Sequence, residues 1–263
     1  MHKVIKQICI VLLFLTCIAN AKDNKLEKII KNNILKVCVW PNYYGISYLN
    51  QRTQKLEGID SDLAQELAKD LNVKLEFVPS SFATLISDVT NDRCDIAMFA
   101  IGNTKSRREK IRFTTPHLSS DIYAITTKSN KKVTSWNDID KKDIIVAVAK
   151  GTYHEPVMRK KLKNAELLVL NSYKAREQAV KSGRADVFMT DYPFGKRMLA
   201  KTDWAKLILP KATYHMTPYA WAMSYNNDKF YTRVEQFVND IKNDGRLLKL
   251  SRKNGLEPIA NIK

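Results

Sequence analysis

Arg107 is the side chain in this sequence best suited to hold an anion. It stands in CDIAMFAIGNTKSRREKIRFTTP, residues 94–116, where an apolar run from Ile96 to Ala100 meets a Gly-Asn turn at Gly102 and Asn103 and Thr104 then leads a basic stretch. A guanidinium presents five N–H donors in a planar fork that matches a carboxylate, and free backbone N–H groups at such a turn add to it. A solvated basic loop is the alternative, since most arginines lie on surfaces. The opposite charge is Asp191, which closes GRADVFMTD just past a β-rich run. A carboxylate there either faces the crevice at a strand end or caps the helix that follows. Gly151-Thr152-Tyr153-His154-Glu155 opens a further helix. Thr152 and Glu155 have the spacing of a capping box, and the same helix start offers free N–H groups to a carboxylate. Tyr43 follows the first strand and Phe82 the second, fit either for a core or for the walls of a binding slot. No cysteine and histidine cluster has metal-ligand spacing, so neither a metal nor a cofactor is expected.

These residues need a scaffold that gathers them, and the periodicities supply a mixed α/β one. After an amphipathic lead-in, Leu26 to Asn33, the run Leu35 to Trp40 (LKVCVW) is β-rich, and a Pro/Asn/Tyr/Gly segment loops to Tyr48. Leu63, Leu67 and Leu71 recur every four residues in a helical run over 59–71. Residues 73–78 alternate as a strand, 82–91 form a short helix and 96–100 a strand, a βαβαβ opening that requires right-handed parallel crossovers. The segment 123–127 is β-rich and 128–132 polar, which puts the first crossing to a second lobe there. That lobe repeats the logic with strands at 144–149, 167–170, 185–190 and 206–209 and helices at 152–162, 173–182 and 193–200. Strand 218–224 returns to the first lobe, and helix 227–243 carries Phe230, Val234, Phe237 and Ile241 on one face. The expected division is a signal segment 1–21, lobe 1 over 22–127 and 217–263, and lobe 2 over 128–216. Two lobes joined by two crossings make a clamshell that closes by hinge motion.

Four motifs bring a resemblance into view. The segment 94–116 resembles the D-A-hydrophobic-x-x-G-M-x-I-T-x-x-R and D-F-S-x-P-Y pattern of the bacterial extracellular solute-binding proteins, family 3, which serve ABC transporters for polar amino acids. Asp95, Thr104, Arg107, Phe113 and Pro116 stand where that pattern needs them, while Ala100 and Arg112 replace its usual glycine and second aspartate. Gly58-Ile59-Asp60-Ser61-Asp62-Leu63 resembles the family's G-[FYIL]-[DE]-x-[DE]-hydrophobic signature, with Asp60 and Asp62 read as helix-start carboxylates. Residues 151–155 resemble its G-T-T-x-E motif, with Tyr153 in place of the second threonine. In the amino-acid binders the aspartate matched by Asp191 holds the ligand's α-ammonium. The resemblance covers residues 35–249. It implies a type II two-lobed clamshell and a ligand set of Tyr43, Phe82, Ala100, Gly102, Arg107, Thr152, Tyr153 and Asp191, with no catalytic residue. It also implies an amino acid or similar small zwitterion as ligand, the membrane permease of an ABC transporter as partner and a monomeric protein.

An enzyme shares this scaffold. Cyclohexadienyl dehydratases resemble the binders and remove water and CO2 from prephenate or arogenate; LEFVPSSFATL and VFMTD resemble that branch as well. Glu155 stands where its general acid lies, a role a buried carboxyl with a raised pKa could fill. The basic residue expected soon after the P-Y motif is absent, the chain reading Pro116-His117-Leu118-Ser119-Ser120-Asp121.

The first 21 residues read as a secretory signal. Two lysines precede the apolar run Ile8 to Ile18, and Ala19-Asn20-Ala21 has the form of a cleavage site, so the mature chain begins at Lys22 in the periplasm. Acylation at Cys17 is the alternative, but Phe14-Leu15-Thr16 fits poorly before such a cysteine. Export permits a disulfide between the two remaining cysteines, Cys38 and Cys94; without geometry, two buried thiols are the expectation. The net charge of +17, from 44 Lys+Arg against 27 Asp+Glu, is spread along helical segments. With export and no nucleic-acid motif, it reads as a lysine-rich surface rather than a nucleic-acid site.

Overall fold

The computed structural model describes residues 25–262, and the expected signal segment lies outside the described residues. Helix α1 (Lys25–Asn32) leads into β1 (Ile34–Val39), whose Leu35, Val37, Cys38 and Val39 are buried. The segment expected as a loop after it forms a small antiparallel sheet of β2 (Asn42–Tyr43), β3 (Ser47–Asn50) and β4 (Lys55–Glu57). Its strands are too short and too polar to carry a readable alternation. Helix α2 (Ile59–Asp70) turns Leu63, Leu67 and Ala68 inward, and β5 (Lys74–Pro79) pairs parallel with β1. Helix α3 (Leu85–Thr90) delivers β6 (Ile96–Gly102) to the other side of β1, again parallel. Every residue of β6 is buried, as expected for a central strand covered on both faces. Short α4 (Lys105–Arg108), β7 (Arg112–Phe113) and β8 (Leu118–Ser120) follow.

The second sheet is built from β9 (Tyr123–Thr127), β10 (Ile145–Ala149), β11 (Glu166–Leu170), β12 (Val187–Thr190) and β13 (Ala205–Ile208), in the order β11-β10-β12-β9-β13. Its parallel centre is connected through α5 (His154–Lys161), α6 (Tyr173–Lys181) and α7 (Tyr192–Lys201). Strand β14 (Thr217–Met223) then returns to the first sheet and gives the order β5-β1-β6-β14-β7, with β8 also on β14. Helix α8 (Asp228–Asn243) buries the expected Phe230, Val234, Phe237 and Ile241, with Phe237 stacked on Trp221 of β14, and α9 (Arg246–Lys253) and a 3-10 turn (Glu257–Ile259) follow.

Three sequence expectations are corrected here. Composition puts 123–127 in lobe 1, but β9 pairs antiparallel with β12 and β13, so the crossing falls at 121–122. A β-rich run does not say which sheet it will join. Cys38 and Cys94 form a disulfide rather than two thiols, with Cα atoms 5.6 Å apart. Parallel pairing of β1 with β6 sets Cys38 opposite Ala97 and brings the two cysteines side by side. Asp60 does not cap α2. Its fully buried carboxylate accepts from the Ala100 N–H (2.6 Å) and Trp221 Nε1–H (2.9 Å) and pairs with His117 Nε2 (2.8 Å), joining α2, β6 and β14. Asp62 instead meets Lys253 Nζ at 2.9 Å.

A second buried carboxylate organises the crossings. Asp121 accepts from the backbone N–H groups of Ile122 (2.7 Å) and His215 (2.6 Å) through Oδ1 and of Tyr214 (2.8 Å) through Oδ2. One side chain thus ties the outgoing crossing at 121–122 to the returning one before β14. Among the described residues no helix is long and apolar enough to cross a membrane.

Cross-linking residues 56 apart in sequence removes loop-closure freedom from the unfolded chain. Replacing both Cys38 and Cys94 with alanine is expected to lower the unfolding free energy by about 2–4 kcal/mol. Urea titration of the oxidised wild type beside the double variant measures this, and an unchanged midpoint would contradict it.

Candidate functional site

The inward ends of the two sheets meet across a cleft. Lobe 1 contributes Trp40 at the end of β1, Tyr43 in β2, Phe82 in the turn before α3, Gly102 at the end of β6, Arg107 in α4 and Tyr219 in β14. Lobe 2 contributes Gly151 to Tyr153 before α5, Tyr173 at the start of α6, and Asp191 between β12 and α7. Strand ends converge in this way in open α/β sheets because each connection to the next helix leaves its loop at the same edge.

Asp191 is buried and does two things at once. Its Oδ1 accepts from the Phe194 N–H (3.2 Å) and so caps α7, the simpler of its two sequence readings. Its Oδ2 accepts from the hydroxyls of Tyr43 and Tyr219 (2.8 Å for Tyr219), both from the opposite lobe. Burial raises the Asp191 carboxyl above the ordinary carboxylate range, and those hydroxyls with the Phe194 N–H pull it back in part. The Tyr219 hydroxyl also lies 3.2 Å from that of Tyr153.

Arg107 is the complementary cation, only 7% exposed. The solvated-loop alternative therefore does not hold. Its Nη1 donates to Gly102 O and its Nη2 to Gly151 O, both at 2.9 Å, so the guanidinium bridges the lobes. Burial lowers its pKa to about 10, which leaves it charged at neutral pH. Two glycines permit these approaches. A Cβ on Gly102 would come 3.3 Å from the Tyr153 ring and 3.1 Å from Thr217 Cγ2; one on Gly151, whose φ is +80°, would meet Ala83 Cα at 2.9 Å.

The expected aromatic walls are present but belong to a larger cluster. Tyr43 and Phe82 stand 5.9 Å apart edge to face, with Trp40 at 5.2 Å and 5.6 Å from them. Trp40 in turn stacks at 4.1 Å on Tyr173 of lobe 2. Trp40, Phe82, Tyr173 and Phe194 line a cavity of about 570 Å³ between the lobes, within the range of roughly 300–1,000 Å³ usual for small-molecule sites. Trp40, Tyr173, Phe194 and Tyr219 are absent from the sequence-derived set. Only the position of Trp40 and Tyr219 at strand ends could have signalled them.

The capping box is not formed. Helix α5 starts at His154, Thr152 Oγ1 donates to Ala149 O (2.7 Å), and Glu155 Oε2 accepts from the Gly151 N–H (3.3 Å). Glu155 also pairs with Arg159 at 3.1 Å and does not line the cavity. Ala100 packs one strand position deeper, at φ +47° in the middle of β6. Its N–H is held by Asp60, and the pairing of β6 with β14 shifts register opposite it. His154 is buried beside Tyr153, ring centroids 4.1 Å apart.

Residues 35–257 match the sequence profile of the bacterial extracellular solute-binding proteins, family 3. The chain belongs to this family. Over 174 residues it is 33% identical to a cyclohexadienyl dehydratase of Pseudomonas aeruginosa, an alignment spanning 65% of this chain and just under two thirds (64%) of that protein. It is 27% identical to a "Probable histidine-binding protein" of Campylobacter jejuni, over 93% of this chain and 94% of the relative. The fold superposes with a TM-score of 0.78 and 29% identity on an ancestral amino acid-binding protein, AncCDT-1, described as a precursor of cyclohexadienyl dehydratase, covering 87% of this chain and 98% of the other. The architecture is that of the type II periplasmic binding proteins, and the family places its members outside the cytoplasm.

Two consequences for this family-3 chain can be measured. A non-glycine residue in the left-handed region is strained by its Cβ, so Ala100→Gly is expected to stabilise by up to about 1 kcal/mol after the entropy glycine adds to the unfolded chain. A loss of stability in thermal unfolding would contradict this. Burial, reinforced by the Arg176 charge, holds His154 at a pKa of about 3 instead of 6.5. The unfolded chain takes up this proton below about pH 6.5 while the folded one refuses it down to about pH 3, so stability falls with pH across that window by up to about 1.4 kcal/mol per pH unit. His154→Phe is expected to remove that component of the acid slope, read as the difference between the two proteins' urea midpoints from pH 4 to 7.

Proposed function

We propose that this protein captures an amino acid or similar small zwitterion in the periplasm, as a monomer, and delivers it to the membrane permease of an ABC transporter. One observation carries the reading: two buried opposite charges stand behind the cavity at the junction of the lobes and each bonds across it, Arg107 of lobe 1 to Gly151 O and Asp191 of lobe 2 to the Tyr43 and Tyr219 hydroxyls. A zwitterion needs both, the guanidinium fork for its α-carboxylate and the carboxylate for its α-ammonium. Tyr43 and Tyr219 move with the first sheet and Asp191 with the second, so opening the cleft parts them and leaves the Asp191 carboxylate to an incoming ammonium. A ligand that takes over these bonds would then favour closure around itself, and a permease can read the closed form.

The dehydratase reading rests on the 33% identity to the Pseudomonas aeruginosa enzyme. Against it, the Glu155 carboxylate is engaged by Arg159 and by the Gly151 N–H. A thermal-shift screen and calorimetry of the chain from Lys22, against the twenty amino acids, prephenate and arogenate, separates the two. An amino acid is expected to raise the melting temperature, and Arg107→Met and Asp191→Asn each to weaken its binding by at least roughly 100-fold. Turnover of prephenate or arogenate that is lost in Glu155→Gln would overturn the capture reading.

A further inference from the structure

A third charge sits at this cleft, and neither the sequence motifs nor the zwitterion reading uses it. Arg176, on α6, is fully buried. Its guanidinium carbon lies 4.3–4.7 Å from the ring centroids of Tyr173, Phe188 and Phe194, an aromatic cage for a cation. Nη1 donates to Met189 O at 2.9 Å. Nε and Nη2, both buried, have no hydrogen-bond partner. Those two atoms form the side edge of the guanidinium, whose parallel N–H bonds match the two oxygens of a carboxylate. Leaving such donors buried and unpaired is costly even with the negative charges of Glu177 and Asp191 acting on the guanidinium.

Its location ties it to the ligand cavity. Tyr173 and Phe194, two of the three cage rings, also line that cavity. Tyr173 is half-buried, and the ring packed on it from the cleft side is Trp40 of the other lobe. On the capture reading, opening the lobes would withdraw Trp40 from Tyr173, one of the rings that cover Arg176. The charge balance points the same way. Among the described residues at the junction of the lobes, two buried guanidiniums, Arg107 and Arg176, stand against one buried carboxylate, Asp191. At the cavity rim, Glu177 and Arg197 lie 3.9 Å apart and offset each other, which leaves Lys150 and Lys174 in excess. An amino acid with a neutral side chain would close the cleft over an uncompensated positive charge. One with an acidic side chain brings the interior to neutrality.

Building on the amino-acid reading above, we infer that the ligand is an acidic amino acid of the glutamate or aspartate kind, its side-chain carboxylate received by the Nε and Nη2 edge of Arg176. Calorimetry of the chain from Lys22 with L-glutamate, L-aspartate and their amides L-glutamine and L-asparagine tests this, with L-lysine and L-arginine as cationic controls. The acid is expected to bind at least roughly 100-fold more tightly than its amide. In Arg176→Met that ratio is expected to collapse to within about threefold, and Arg176→Lys, which keeps the charge but not the fork, to fall between. A neutral or cationic amino acid as the tightest ligand would overturn the inference while leaving amino-acid capture standing. So would an acid preference that survives Arg176→Met. Binding of no amino acid at all would overturn both. If circular dichroism shows the Arg176 variants unfolded, the acid-to-amide ratio of the wild-type protein decides by itself.

Discussion

A carboxylate removed from water must find partners, and Asp191 finds them in the opposite lobe. The hydroxyls of Tyr43 and Tyr219 reach across the cleft to one of its oxygens while the other caps the helix that begins at Tyr192. Arg107 reaches the other way, to the carbonyl of Gly151. The closed arrangement is therefore held by groups whose desolvation is tolerable only while the lobes stay together or while something else supplies the missing partners. On the proposed function, a small molecule bearing both charges would be such a substitute.

The rest of the scaffold serves to place those groups. Asp60 anchors the bend of β6 by holding the Ala100 N–H and ties that bend to His117 and Trp221. The bend sets Gly102 and the turn to Arg107 at the cleft floor. The Cys38–Cys94 disulfide fixes the two parallel strands that end there. Asp121 binds both crossings together through the two oxygens of one side chain. The carboxylates of Asp60 and Asp121 are each engaged by several backbone, indole or imidazole groups, the condition under which burial specifies geometry instead of opposing folding.

The same fold carries binding proteins and a dehydratase, and the difference rests with individual side chains. Glu155 illustrates this. The motif around it is shared, yet its carboxylate is taken up by a neighbouring arginine one helical turn on and by the loop that precedes it. Arg176 illustrates the converse, a residue outside every motif that ends among three aromatic rings beside the ligand cavity.

The sequence by itself determined the local structure and singled out two charges, Arg107 and Asp191, that the structure buries. The four-residue spacing of Leu63, Leu67 and Leu71, the all-apolar run of β6 and the Phe230-to-Ile241 face are encoded in neighbouring residues, because helix and strand periods act over a few positions. The short motifs around Arg107 and Asp191 were legible for the same reason: each is a strand end and the turn that follows it. Tertiary structure decided what depends on partners far along the chain. Which sheet would take residues 123–127, whether Cys38 would meet Cys94, and where Asp60 would point were settled by strand pairing and burial across tens of residues. Trp40, Tyr173, Arg176 and Tyr219 entered the site on the same terms. A side chain's periodicity records the face it occupies, whereas its neighbours from other elements, and hence its charge partners, exist only once the sheets have formed and closed on each other.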